Sequence, residues 1–90
     1  MTTPLLQIIG RRQYDDGTVN DLLVTVFVPV ADPQHHNARC RIRMPSLFAA
    51  DKHIFGVDEA QAVELAIGFV RQMFDYRHID VTAVRRPGQP

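Results

Sequence analysis

The feature that most constrains the fold is a long segment, starting near Gly56, with the capping and spacing of an amphipathic helix. Asp58 is a typical N-cap residue, and Gln61 three positions later completes a capping box. Leu65 and Phe69 widen an apolar stripe whose members recur every three or four residues. The stripe consists of Ala62, Val63, Ala66, Ile67, Val70, Met73 and Phe74. We therefore predict a helix over residues 58–77 whose broad apolar face must be covered.

Several other segments have the alternation or the continuous apolar character of β-strands. The predicted strands are residues 5–14, 18–28, 39–44 and 79–84. Asp15-Asp16-Gly17 is a turn signal, so the first two strands should form a hairpin. The second segment is apolar on both faces and stops at Pro29, which indicates a central, covered strand. Residues 31–37 and 47–55 are predicted to be a polar loop and an irregular connection.

These elements predict an α+β domain with a three- to four-stranded antiparallel sheet and one long helix on one face, in the order β-β-β-α-β. A helix of this length would be about 30 Å long, close to the roughly 27 Å of an eight-residue strand. The chain has 90 residues, the size of one domain. We assign residues 4–84 to an ordered core and residues 85–90 to a flexible tail.

The composition limits the classes of protein to consider. Ten basic and ten acidic residues cancel, so the chain lacks the net positive charge that nucleic-acid and membrane-surface binders usually carry. Cys40 is the single cysteine, which excludes an internal disulfide and a thiolate zinc cage within one chain. No stretch approaches the roughly 20 apolar residues of a membrane span. We expect a cytoplasmic protein with no membrane partner.

No set of residues has the spacing of a catalytic, cofactor or metal site. Cys40 should lie on the apolar side of its strand, where a thiol behaves as a small hydrophobe. Acid–base catalysis needs paired, partly desolvated carboxylates, and those near the first hairpin look solvated: Asp15, Asp16 and Asp21. The histidines fall in no HxH or HExxH pattern: His35, His36, His53 and His78. We expect a non-enzymatic protein without metal or cofactor.

The helix carries more apolar surface than a small sheet can cover, which favours a contact with a second protein surface. We expect a homodimer, another homo-oligomer or a complex with a different protein. The side chains predicted to lie near the covered face of the helix are Leu65, Phe69, Val70 and Met73.

A row of arginines on the third predicted strand suggests an alternative function. Arg39, Arg41 and Arg43 should project from one face about 7 Å apart, a spacing similar to the phosphate repeat of an extended nucleic-acid strand. No aromatic residue interleaves the row to stack on bases, and arginines on an exposed strand also discourage aggregation. Binding of RNA or single-stranded DNA is therefore the less favoured alternative.

The chain resembles a family of small bacterial domains of unknown function. The resemblance covers residues 8–74 and is carried by Arg12-Gln13-Tyr14, Pro29, Arg39-Cys40-Arg41-Ile42, and Gly56-Val57-Asp58 followed by Gln61, Ala62, Leu65 and Ala66. Family members commonly place a tryptophan before the cysteine, and this chain has none. The resemblance supports the fold and implies no activity.

A shorter stretch is similar to HicB-type antitoxins. The similar residues are Met44-Pro45-Ser46-Leu47 and Gly56-Val57-Asp58-Glu59-Ala60. This similarity implies a second alternative function, an antitoxin-like domain that binds a toxin.

Overall fold

The computed structural model describes residues 3–87, which form one helix and six strands. The strands are β1 (Pro4–Gln13), β2 (Val19–Phe27), β3 (Val30–Asp32), β4 (Asn37–Arg43), β5 (Lys52–Gly56) and β6 (Ile79–Arg85). The helix is α1 (Glu59–Tyr76), between β5 and β6. The chain is therefore an α+β protein with an antiparallel sheet, as the sequence predicts.

Every pairing in the sheet is antiparallel. β2 lies between β1 and β4, β6 pairs with β1, and β5 pairs with β4. β3 continues the path of β2 beyond Pro29 and pairs with the same strand, β4. Within residues 3–87, β3, β5 and β6 each pair along one side only, and β2 has the central position that its two apolar faces predict.

The helix packs across one face of the sheet, which we call the helix face; the opposite face is the open face. The helix contributes the i, i+4 stripe Ala62, Ala66, Val70 and Phe74 to the core. The sheet contributes Ile8, Leu22, Val24, Val26, Ala38, Cys40, Ile42 and Ile79. The molecule measures 50 × 31 × 20 Å, and its smallest dimension fits two layers about 10 Å apart.

The predicted helix start is confirmed. The Asp58 carboxylate accepts a hydrogen bond from the Gln61 backbone N–H at 2.8 Å. The Gln61 side-chain oxygen accepts from the Val57 N–H at 2.7 Å, one residue earlier than in the usual capping box. The helix ends before Arg77, and His78 takes a left-handed conformation with φ 56° that turns the chain back into β6.

The predicted first hairpin is also confirmed. The Tyr14 N–H donates to the Thr18 carbonyl at 2.8 Å, and Gly17 has φ 88°. Asp16 accepts hydrogen bonds from both the N–H and the hydroxyl of Thr18. These bonds hold the pKa of the exposed Asp16 below its ordinary value.

The predicted strand number of three to four, and the order β-β-β-α-β, are wrong in detail. β3 overlaps the start of the predicted loop at residues 31–37, and β5 overlaps the end of the predicted irregular connection at residues 47–55. The predicted tail at residues 85–90 starts one residue too early, because Arg85 still lies opposite Gln7 in the sheet. Residues 88–90 of that tail lie outside the described residues.

Candidate interaction surfaces

The edge strand β6 exposes two large apolar side chains on the helix face. Val81 lies opposite Gly10, and Val84 opposite the core residue Ile8, so both valines point toward the helix side of the sheet. They remain 56% and 61% exposed. The residues opposite them on β1, Ile8 and Gly10, are buried.

A groove of about 320 Å³ lies beside these valines, between the helix and the edge of the sheet. Phe74 and Ile79 are among the buried residues that line it. Ile67 and Arg71 line it from the helix, and Val81 and Val84 line it from β6. The lining is mainly apolar, and Arg71, Asp75 and Asp80 also contribute to it. We call the groove together with the two valines the β6 surface.

A β-bulge interrupts β6 at Thr82. Ile9 on β1 lies opposite Ala83, and the next residue, Gly10, lies opposite Val81, so Thr82 is the extra residue. The Thr82 hydroxyl donates a hydrogen bond to the Ile9 carbonyl at 3.1 Å. The bulge changes which residues of β6 share a face.

The open face of β6 carries one acidic and one basic side chain. Arg11 on β1 lies between Asp80 on β6 and Asp21 on β2. The Arg11 Nε atom donates a hydrogen bond to the Asp21 carboxylate at 3.0 Å. Arg85 lies opposite the neutral Gln7. Among the ion pairs of residues 3–87, none includes Asp80 or Arg85.

The four helix residues predicted to lie near the covered face have different environments. Val70 is 2% exposed and belongs to the core of the chain, so its side chain is not available to a second protein. Phe69 is half-buried and its ring centroid lies 6.5 Å from that of Phe48. Met73 is half-buried beside Arg77, and Leu65 is 47% exposed.

The arginine row projects from the open face as predicted, while Cys40, Ile42 and Met44 are buried on the other side. Two of the three arginines have partners. The Arg41 and Arg43 guanidinium carbons lie 4.1 and 5.3 Å from the centroid of the Phe27 ring. Both arginines also lie within 3.3 Å of the Asp51 carboxylate. The hydrogen bonds from Arg43, with the charges of Arg43 and Arg41, lower the pKa of Asp51.

The third arginine lies beside an exposed aromatic ring that the sequence analysis missed. Arg39 lies between Val30 and Phe55 in the sheet, and Phe55 is 53% exposed. The strand of the arginines itself contains no aromatic residue. The relevant signal is the alternation of His53 and Phe55 on the neighbouring strand β5.

The remaining candidate residues are apart from one another. Burial raises the pKa of the Cys40 thiol, which donates to the Phe27 carbonyl at 3.3 Å. His35 contacts Asp32 at 2.8 Å, and this hydrogen bond lowers the pKa of the Asp32 carboxyl. No three metal-ligating side chains come together in the part of the chain that the structure describes.

A second depression, of about 480 Å³, lies on the outer surface of the helix around Gly68. A methyl group built on Gly68 would meet no atom within 4 Å. This depression is open surface between Glu64, Leu65 and Arg71 rather than an enclosed site.

Comparisons with protein-family models, with curated proteins and with solved structures found no match to the chain. The resemblances described above therefore stay predictions. Over residues 3–87, no helix combines the length and the apolarity that crossing a lipid bilayer requires.

Proposed function

We propose that the protein is a small interaction module without catalytic activity, and that it self-associates through the β6 surface. The observation that carries the proposal is the pair of exposed valines, Val81 and Val84, on an edge strand beside an apolar groove. Exposed apolar surface of this kind is typical of protein contacts.

β6 is the longest of the three strands that pair on one side only, since β3 has three residues and β5 has five, and this supports the proposal. An exposed edge strand invites pairing with another chain unless it is short or charged. β5 has five residues and carries Lys52 and His53. β6 has seven residues. Its two charged side chains, Asp80 and Arg85, have opposite signs and lie on the open face, while its helix face exposes the two valines. β6 is therefore the longest edge strand, and its apolar face adjoins the groove.

Sedimentation velocity over a wide concentration range tests the proposal. Because a contact limited to one strand and one groove is smaller than the roughly 1,600 Å² of a standard interface, we expect self-association in the micromolar range. The double variant Val81→Thr/Val84→Thr keeps β-branched side chains, which favour a strand, and removes apolar surface area from both copies. We expect at least about tenfold weaker association of this variant.

Val19→Thr is the matched control. Val19 is also an exposed valine on a strand, but it lies on β2, next to the turn of the first hairpin, and β1 separates β2 from β6. The control should associate as the unchanged protein does. A monomer at every concentration, or a double variant that associates as well as the control, would contradict the proposal.

A second candidate function is binding of single-stranded nucleic acid on the open face. The observation in its favour is the neighbouring pair Arg39 and Phe55, a cation beside an exposed ring on which a base can stack. The engagement of Arg41 and Arg43 by Asp51 reduces the charge available there, which is why this candidate ranks second.

Fluorescence anisotropy with labelled oligo-dT and oligo-U at low salt tests this second candidate. Phe55→Ala should weaken binding by about 1 to 3 kcal/mol if a base stacks on the ring, and Arg39→Ala should reduce the salt dependence. Arg86→Ala is the control, because Arg86 follows β6, on the opposite side of the sheet from β5. Equal anisotropy with and without protein at low salt would eliminate this candidate.

A further inference from the structure

We infer that the partner on the β6 surface is a second copy of this chain, paired antiparallel along β6 about a two-fold axis between Thr82 and Ala83. In this register Asp80 lies opposite Arg85 of the partner subunit, and Val81 lies opposite Val84 of the partner subunit. The inference rests on the proposed self-association and adds its geometry.

Charge complementarity across the edge supports this register. On the open face, Asp80 and Asp21 lie opposite Arg11 on its two sides, so one guanidinium group has two carboxylates as sheet neighbours. The Arg11 guanidinium bonds to Asp21, and Asp80 has no cationic partner within residues 3–87. Arg85 has a neutral neighbour, Gln7. A two-fold axis at the centre of β6 places Asp80 of each copy opposite Arg85 of the partner subunit, so two such pairs form per dimer.

The bulge at Thr82 also fits this register. Residues opposite each other in an antiparallel pair point to the same face, and in an unbroken strand two residues five apart point to opposite faces. Asp80 and Arg85 are five apart, yet their partners on β1, Arg11 and Gln7, are four apart and share the open face. The extra residue Thr82 supplies the difference. The bulge therefore makes this register self-complementary on both faces.

The apolar side of the same edge fits the same register. Val81 and Val84 both lie on the helix face, opposite Gly10 and Ile8. A two-fold axis perpendicular to the sheet keeps the two helices on one side of a continuous sheet. The grooves of the two copies then adjoin, and each Val81 covers the other copy's Val84. The same register therefore pairs opposite charges on the open face and covers the exposed valines on the helix face.

Charge reversal tests the register. Asp80→Arg alone and Arg85→Asp alone each place like charges opposite each other at two symmetric positions. Each variant should self-associate about 10- to 100-fold more weakly at low salt. An equimolar mixture of the two variants restores opposite charges at both positions, so it should form a heterodimer as tight as the original dimer. The double variant Asp80→Arg/Arg85→Asp should recover homodimerisation. Arg86→Asp makes the same change of net charge as Arg85→Asp, just beyond the strand, and should have a much smaller effect.

The outcomes separate this inference from the proposed function. Weak association of each single variant with recovery in the mixture supports the register; an unfolded variant could not produce that recovery. Association that all of these variants leave unchanged would overturn the register while the proposed self-association stands. A monomeric unchanged protein at every concentration would overturn both, and the bulge would then have the opposite role of blocking an exposed edge.

Discussion

A close approach between the helix and the sheet, at Gly56, gives a quantitative test of the packing. A Cβ atom at this position would lie 2.5 Å from the backbone nitrogen of Ala62 and 2.9 Å from its Cα atom. Carbon atoms in contact are normally about 3.5 to 4.0 Å apart, so β5 and the first helical turn would have to separate by roughly 1 Å. Forcing extra volume into a packed interior costs about 1 to 3 kcal/mol. Because the atoms met belong to the backbone, we expect the upper end of this range.

Gly56→Ala also reduces the conformational entropy of the unfolded chain, which raises the free energy of unfolding by about 0.4 to 1 kcal/mol. We therefore expect a loss of about 2 kcal/mol in the free energy of unfolding. Gly68→Ala is the matched control, because nothing lies within 4 Å of its added methyl group and alanine favours a helix over glycine by about 1 kcal/mol. Urea unfolding followed by circular dichroism at 222 nm measures both variants. The reasoning is refuted if Gly56→Ala is as stable as Gly68→Ala.

Three further changes have defined outcomes. Asp58→Ala should cost about 1 kcal/mol of unfolding free energy by removing the helix cap, and Asp58→Ser should recover most of it; equal stability of both variants in urea would contradict the cap's role. Asp51→Asn should cost less than about 1 kcal/mol at neutral pH. Arg43 and Arg41 lower the folded-state pKa of Asp51, so this stabilisation is complete above the ordinary carboxyl pKa and disappears as the pH falls through the lowered one. Unfolding curves at several pH values should therefore converge in acid, and a constant difference would argue against the ion pairs. The Cys40 thiol, buried with a raised pKa, should react with DTNB only as fast as the protein opens; reaction at the rate of an unfolded control would contradict its burial.

Local sequence patterns predict the elements whose structure depends on neighbours along the chain. The alternation of Cys40 and Ile42 with Arg41 predicts which side of β4 is buried, because successive side chains on a strand point to opposite faces. The helix start follows from Asp58 and Gln61, whose bonds join residues no more than four apart. These features need no knowledge of the rest of the fold.

The features that sequence analysis missed depend on contacts between distant segments. β5 is short and exposes Phe55, and its place in the sheet follows from pairing with β4. Its pairing also places Phe55 beside Arg39, which no inspection of a single strand reveals. The bulge at Thr82 exists only relative to β1. Likewise, the arginine row looks like a set of free charges until the fold brings Asp51 beside it.

Hydrogen exchange of backbone amides at increasing protein concentration, read by NMR, tests the central claim most directly. The claim is that β6 is the edge at which two copies meet. We predict that the β6 amides unpaired with β1 gain protection as the concentration rises, while the amides at the outer edge of β5 exchange at a constant rate. Protection that is independent of concentration along β6, or that rises at β5 instead, would contradict the claim.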